Sequence, residues 1–95
     1  MNARLLRYKK DIYPDGSISE TVIWQLPEPT IQRPHGYKYR LNYSLPDGTT
    51  LDRYDNELGK GDHRIKNKEF DYEFSTPEQA VLDFLEDMKA NGGYV

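Results

Sequence analysis

Ninety-five residues suit one domain, and a chain of this length buries only about 60–65% of its unfolded surface, which leaves room for one small core and no second lobe. The chain has no cysteine, which excludes a disulfide framework, a thiolate metal site and a cysteine nucleophile; with no apolar signal-like start and no segment able to span a bilayer, a cytoplasmic protein without a membrane is expected. The formal charge of −3 argues against a uniformly basic nucleic-acid binder but hides an asymmetry, with seven Lys and Arg against four Asp and Glu in residues 1–40 and six against twelve in residues 41–95.

The chain opens with a hairpin signal, Pro14-Asp15-Gly16, which recurs as Pro46-Asp47-Gly48. In each, proline presets φ and the Asp-Gly pair follows where a turn is tightest. Between Ile18 and Leu26 the apolar residues Ile18, Val22, Trp24 and Leu26 fall on one parity, interrupted by Glu20. Pro27, Pro29 and Pro34 then mark an irregular connector. From Tyr37 to Leu45 the set Tyr37, Tyr39, Leu41, Tyr43 and Leu45 alternates with Lys38, Arg40, Asn42 and Ser44, the pattern of a strand with one wet face. Phe70, Tyr72 and Phe74 repeat that alternation, which predicts a fifth short strand.

After Phe74 the period changes. Thr76-Pro77-Glu78-Gln79 supplies a capping threonine, proline at the first helical position and glutamine three residues after the cap; Val81, Phe84, Leu85 and Met88 recur at helical spacing, and Asn91-Gly92-Gly93 supplies the stop. The fold expected is α+β: one domain over residues 1–95, an antiparallel sheet of about five strands including the two Pro-Asp-Gly hairpins, packed on a single C-terminal helix. Glu69–Asp87 holds seven acidic residues and no Lys or Arg, either a solvated helix face or a docking surface for a basic partner.

If Tyr37, Tyr39 and Leu41 face the helix, Lys38 and Arg40 face away from it, because adjacent strand residues point to opposite sides. That wet face is then basic. Arg53 and Asp55 have one parity and Tyr54 the other, and strand register decides which of them joins Lys38 and Arg40.

The run Arg53-Tyr54-Asp55-Asn56-Glu57-Leu58-Gly59-Lys60-Gly61-Asp62-His63-Arg64 offers only Tyr54 and Leu58 to a core. It is either a turn-rich connection or a site. Together with His35-Gly36-Tyr37-Lys38-Tyr39-Arg40-Leu41, it resembles the signature segments of the TumE family of toxin–antitoxin toxins, an RYDNE segment followed by GKGDHRH and an upstream His-x-(Tyr/Phe)-Lys-Tyr-Arg segment. The resemblance runs through nearly the whole domain, with Tyr54, Asp55, Asn56, Glu57, Gly59 and Gly61 as supporting motif positions. It departs at Ile65, where the family usually has a second histidine. The resemblance implies a toxin neutralised by a cognate antitoxin with a helix-turn-helix DNA-binding domain, and RNA as the target.

A ribonuclease without a metal needs a base for the ribose 2′-OH proton, an acid for the leaving oxygen, and cations for the charge that develops on phosphate. His63 suits the proton transfer, since imidazole exchanges protons near neutral pH. Lys60, Arg64 and Arg40 suit charge stabilisation, with Asp62 beside them and His35 or Tyr54 as the second proton-transfer group. Lys38, Arg40, Arg53 and Lys66 are the expected nucleic-acid contacts. Gly59-Lys60-Gly61 can bring backbone N–H groups and a lysine to a phosphate, although it lacks the spacing of a Walker A loop. No cofactor is expected in this reading. The metal alternative uses Asp55, Glu57 and Asp62 as oxygen ligands for Mg2+. Ile65 favours a further alternative, a noncatalytic module that binds nucleic acid or protein; an inhibitor or scaffold without nucleic-acid contact is a third. An exposed edge strand is compatible with a homodimer without demanding one.

Overall fold

In a computed structural model, which describes residues 3–57, 61–66 and 68–92, the chain forms six strands followed by one helix. These are β1 (Arg4–Ile12), β2 (Ile18–Gln25), β3 (Tyr37–Ser44), β4 (Thr50–Asp55), β5 (His63–Ile65), β6 (Glu69–Asp71) and α1 (Pro77–Ala90). Each strand pairs antiparallel with its chain neighbour, giving one sheet in the order β1-β2-β3-β4-β5-β6. The expected α+β architecture is present, with six strands in place of about five. The added strand is β5, at the end of the motif run: His63–Ile65 pairs with Arg53–Asp55 on β4, so the two ends of the motif meet in the ladder. No helix among the described residues is long and apolar enough to cross a membrane.

The two hairpins share one turn chemistry. Gly16 N–H donates to the Tyr13 carbonyl and Gly48 N–H to the Leu45 carbonyl, each at 2.9 Å, and the glycines take φ of +86° and +90° where a Cβ would be strained. Asp15 accepts from Ser17 N at 2.8 Å and Asp47 from Thr49 N at 2.9 Å. Hydrogen bonds from the Ser17 and Thr49 side chains, followed by those from their backbone N–H groups, hold both carboxyls below the ordinary aspartate value.

Thr76 caps α1 by accepting from Gln79 N at 3.1 Å, and Pro77 occupies the first helical turn. Gln79 turns forward to Asp83, at 2.9 Å. Ala80, Phe84 and Met88 are buried in one core with Ile23, Tyr39, Leu41, Tyr43 and Tyr54. The β3 alternation is therefore as expected: Tyr39, Leu41 and Tyr43 lie under the helix layer and Lys38 and Arg40 are exposed. Phe70, Tyr72 and Phe74 belong to the same side, but only Glu69–Asp71 pairs as a strand.

β2 departs from expectation. Ser19, Thr21 and Ile23, opposite Tyr43, Leu41 and Tyr39, are the buried residues, while Ile18, Val22 and Trp24 are half-buried on the opposite, open face. The small polar residues serve hydrogen bonds that an apolar side chain could not: Tyr13 and Ser19 hydroxyls meet at 2.8 Å, Tyr43 OH donates to Ser17 Oγ at 3.3 Å, and Arg7 Nε donates to Thr21 Oγ1 at 2.9 Å. The open face is consequently basic but partly apolar.

The acidic helix also looks inward. Tyr54 OH donates to Asp87 and Tyr72 OH to Asp83, both at 2.5 Å, and Lys66 Nζ lies 3.4 Å from Asp87. Burial, and then these bonds to carboxylates, push both phenols above their ordinary value. At the helix end Asn91 N–H bonds back to Asp87 and Met88, its side chain donates to both oxygens of Asp52 at 2.9 and 2.8 Å, and Gly92 takes φ of +76°. The Gly93 part of the expected stop lies outside the described residues.

Candidate functional site

Register settles what parity leaves open. Arg40 stands opposite Asp55, Asn42 opposite Arg53, Asp55 opposite His63 and Arg53 opposite Ile65. Lys38, Arg40, Arg53, Asp55, His63 and Ile65 therefore share the open face, and Tyr54 and Arg64 belong to the helix face. Asn56 extends this arrangement past the end of β4: its side chain accepts from Tyr39 N at 3.1 Å and donates to the Tyr37 carbonyl at 2.8 Å, replacing a backbone pair with an amide.

On the open face Asp55 is the hub. Arg53 Nε donates to its Oδ2 at 2.6 Å, and Arg53 Nη2 lies 3.7 Å from Glu57. His63 Nε2 lies 2.7 Å from Asp55 Oδ1, within ion-pair distance, although no aligned hydrogen bond reaches that oxygen. The other ring nitrogen, Nδ1, donates to the Gly61 carbonyl at 3.1 Å, and Glu69 stands 3.7 Å from Nε2. His63 is only 4% exposed and Asp55 only 3%, so the pair is held within the sheet with both imidazole nitrogens facing acceptors.

Beside this pair lies an open basin of about 610 Å³, lined by Asp55, Arg53, Lys38, Arg40, Trp24 and Arg33 among others. Arg40 reaches Glu20 at 2.9 Å, and Glu20 also accepts from Tyr8 OH at 3.2 Å, which together with burial raises that phenol. Lys38 and Arg33 have no ion pair among the described residues. Concentrated cations, a half-buried indole and a carboxylate–imidazole pair can bind a phosphate, receive a base and move a proton.

The remaining candidates lie elsewhere. His35 Nδ1 accepts from Tyr37 N at 3.1 Å, so Nε2 carries the proton and donates to Asp62 at 2.9 Å. Tyr39 OH donates to the same carboxylate at 2.6 Å, and the His35 ring lies 4.1 Å from Phe74. Burial and that carboxylate push the Tyr39 hydroxyl far up. Tyr39 and Phe74 belong to the helix side, so His35 and Asp62 form a cluster separate from His63. Arg64 Nη1 donates to Tyr54 OH at 3.2 Å, a bond that raises the guanidinium further, and lies 4.0 Å from Asp87, where Lys66 also binds. Lys60 and Gly59 lie outside the described residues. The three oxygen ligands considered for Mg2+ are divided: Asp55 serves Arg53 and His63, Glu57 serves Arg53, and Asp62 serves His35 and Tyr39. Among the described residues no three His, Asp or Glu side chains are grouped to hold a metal.

Sequence reasoning missed Arg33 and Trp24 as site residues. Trp24 shares parity with Val22 and Glu20, a mixed set that suits a half-covered face, and Arg33 sits in a connector whose prolines suggest only irregular chain. A family model described as Toxin TumE matches residues 2–91 of this chain. No curated protein and no solved structure matches it.

Proposed function

Since the chain belongs to the Toxin TumE family, and so is a toxin of a toxin–antitoxin system, we propose that it arrests growth in the cytoplasm by acting on RNA as a small, metal-independent endoribonuclease whose site is the open face. The observation that carries this reading is the convergence of Lys38, Arg40 and Arg53 on one basin whose wall is Asp55, backed by His63.

In this reading the Asp55–His63 pair accepts the proton of a ribose 2′-OH as O2′ attacks phosphorus. The P–O5′ bond breaks, O5′ takes up a proton from water as the Asp55–His63 pair releases to water the one it accepted, and the products carry a 2′,3′-cyclic phosphate and a 5′-OH. Arg53 fixes the orientation of Asp55 through its second oxygen, and Lys38 and Arg40 offset the charge growing on the phosphate oxygens. The partner is a cognate helix-turn-helix antitoxin. A homodimer through the outer edge of β1 would bring together two copies of a strand rich in Arg and Lys, a like-charge cost that tells against it.

A noncatalytic toxin that binds RNA is the second reading. It is favoured by the engagement of both His63 nitrogens inside the protein and by Ile65 at the position of the family's second histidine. Induced expression of wild type and His63→Ala in a bacterial host, with total RNA followed over time, separates the two. Arrest with RNA cleavage in the wild type alone supports the ribonuclease. Arrest without cleavage by both folded proteins supports the binder.

A further inference from the structure

Arg33 is buried to 92%, its Nε has no hydrogen-bond partner, and no carboxylate lies within ion-pair distance of it among the described residues. A buried guanidinium without a counter-charge is costly, and such groups ordinarily meet a carboxylate or a ligand. This one lines the basin.

The connector that carries it is a built element. Leu26 N donates to the Gly36 carbonyl at 2.8 Å and closes the loop at the ends of β2 and β3; within it, Thr30 Oγ1 accepts from Arg33 N at 2.9 Å, and the Arg33 carbonyl accepts from Thr30 N at 3.1 Å and Gly36 N at 2.9 Å. Gly36 takes φ of +81°, a turn that lets the chain enter β3 immediately after this closure. The backbone bonds of Arg33 are thus made locally, while its buried Nε has no partner among the described residues.

The other basin cations differ. Arg53 is held by Asp55 and Glu57 and Arg40 by Glu20, leaving Arg33 and Lys38 as the basin-lining cations with no carboxylate of their own among the described residues. Trp24 lines the same basin and is half-buried, leaving part of its indole for an aromatic ligand.

We infer that Arg33 is the phosphate anchor of this basin, taking one phosphodiester of a single-stranded RNA whose neighbouring base stacks on Trp24. The inference rests on the reading that the protein acts on RNA and adds to it a strand preference. A guanidinium grips phosphate oxygens in a bidentate fashion, Lys38 adds a point charge, and an indole accepts the face of any base that is not already paired.

Trp24 is the sole tryptophan, so its fluorescence reports the site directly. The full chain is titrated with a 2′-O-methyl single-stranded oligoribonucleotide, which resists cleavage through the 2′ oxygen, and with its duplex. Tryptophan quenching by the single strand at lower concentration than by the duplex is expected. Arg33→Met should weaken single-strand binding about tenfold or more and lower the magnitude of the salt slope by about 1. Arg33→Lys should keep the slope and recover only part of the affinity. Arg33→Met should also melt at or above the wild-type temperature, because it removes a buried unpaired charge.

Equal affinity in Arg33→Met, binding without change in Trp24 emission, preference for the duplex, or collapse of the Arg33→Met fold with Arg33→Lys matching wild-type binding in slope and affinity would each overturn the inference. Arg33-dependent binding to the single strand with no cleavage of unmodified RNA leaves the anchor standing and removes the ribonuclease. Cleavage and binding undiminished in Arg33→Met do the reverse.

Discussion

Under the helix, Asp52, Asp83 and Asp87 each take a hydrogen bond from a side chain on another part of the chain, namely Asn91, Tyr72 and Tyr54. On the open face, Arg33 and Lys38 line a basin without an ion pair of their own among the described residues, and Asp55, in the basin wall, is pressed against His63. Both faces belong to the same strands and alternate residue by residue, so the difference arises from what covers them. The helix side has a second layer against which polar groups must be satisfied internally. The open side retains charge that internal partners do not neutralise, which is the condition for binding an anion. One face of the sheet holds the fold and the other carries the proposed site.

The contrast breaks most visibly at the core. Phe84 is fully buried against Tyr54, and Phe84→Ala should cost about 3–5 kcal/mol, seen as a fall in melting temperature of at least about 12 °C. Lys38→Ala on the open face should stay within about 0.5 kcal/mol of wild type while weakening RNA binding. Comparable losses of stability in both would mean that the two faces are not functionally divided.

A smaller effect is expected at position 65, which stands opposite Arg53 on the open face. Ile65→His supplies a second imidazole next to the Asp55–His63 pair, separate from the one that faces Gly61 and Asp55. RNA cleavage should rise about tenfold or more, measured as the initial rate on a single-stranded oligoribonucleotide. An unchanged rate in a folded variant would place position 65 outside the chemistry.

The smallest effect concerns pH. Burial raises the Asp52 carboxyl above its ordinary value, the Asn91 bonds opposing this and Asp87 adding to it. The folded state therefore holds the Asp52 proton more tightly than the unfolded chain, so this stabilisation is complete below the ordinary carboxylate value and is lost as pH rises through the raised one. Asp15 and Asp47, both lowered, act in the opposite direction and lose their contribution as pH falls. Asp52→Asn keeps an amide partner for Asn91 without the buried charge, so its melting temperature relative to wild type should be higher at about pH 7 than at about pH 3. A difference that is flat or reversed would show that the Asn91 bonds outweigh burial.

The alternation of Tyr37–Leu45 determined which β3 side chains enter the core, because a period of two has only two faces to choose between. The Pro-Asp-Gly turns determined the hairpins, since Gly16 and Gly48 occupy backbone conformations that few other residues adopt. Thr76-Pro77 and the Val81–Met88 spacing determined the helix for similarly local reasons, and the ordered motifs determined the family. Local sequence could not show that β2 turns Ile18, Val22 and Trp24 away from the helix, because that depends on how far a 14-residue helix extends over a six-stranded sheet. Nor could it bring Asp55 to His63 and send His35 to Asp62: those pairs follow from register and from the side of the sheet on which each strand end emerges. Arg33 is the clearest case. Its residue type is ordinary and its connector looks incidental in the sequence, and only its burial beside the basin without an ion pair of its own among the described residues singles it out, since charge balance is a property of neighbours in space.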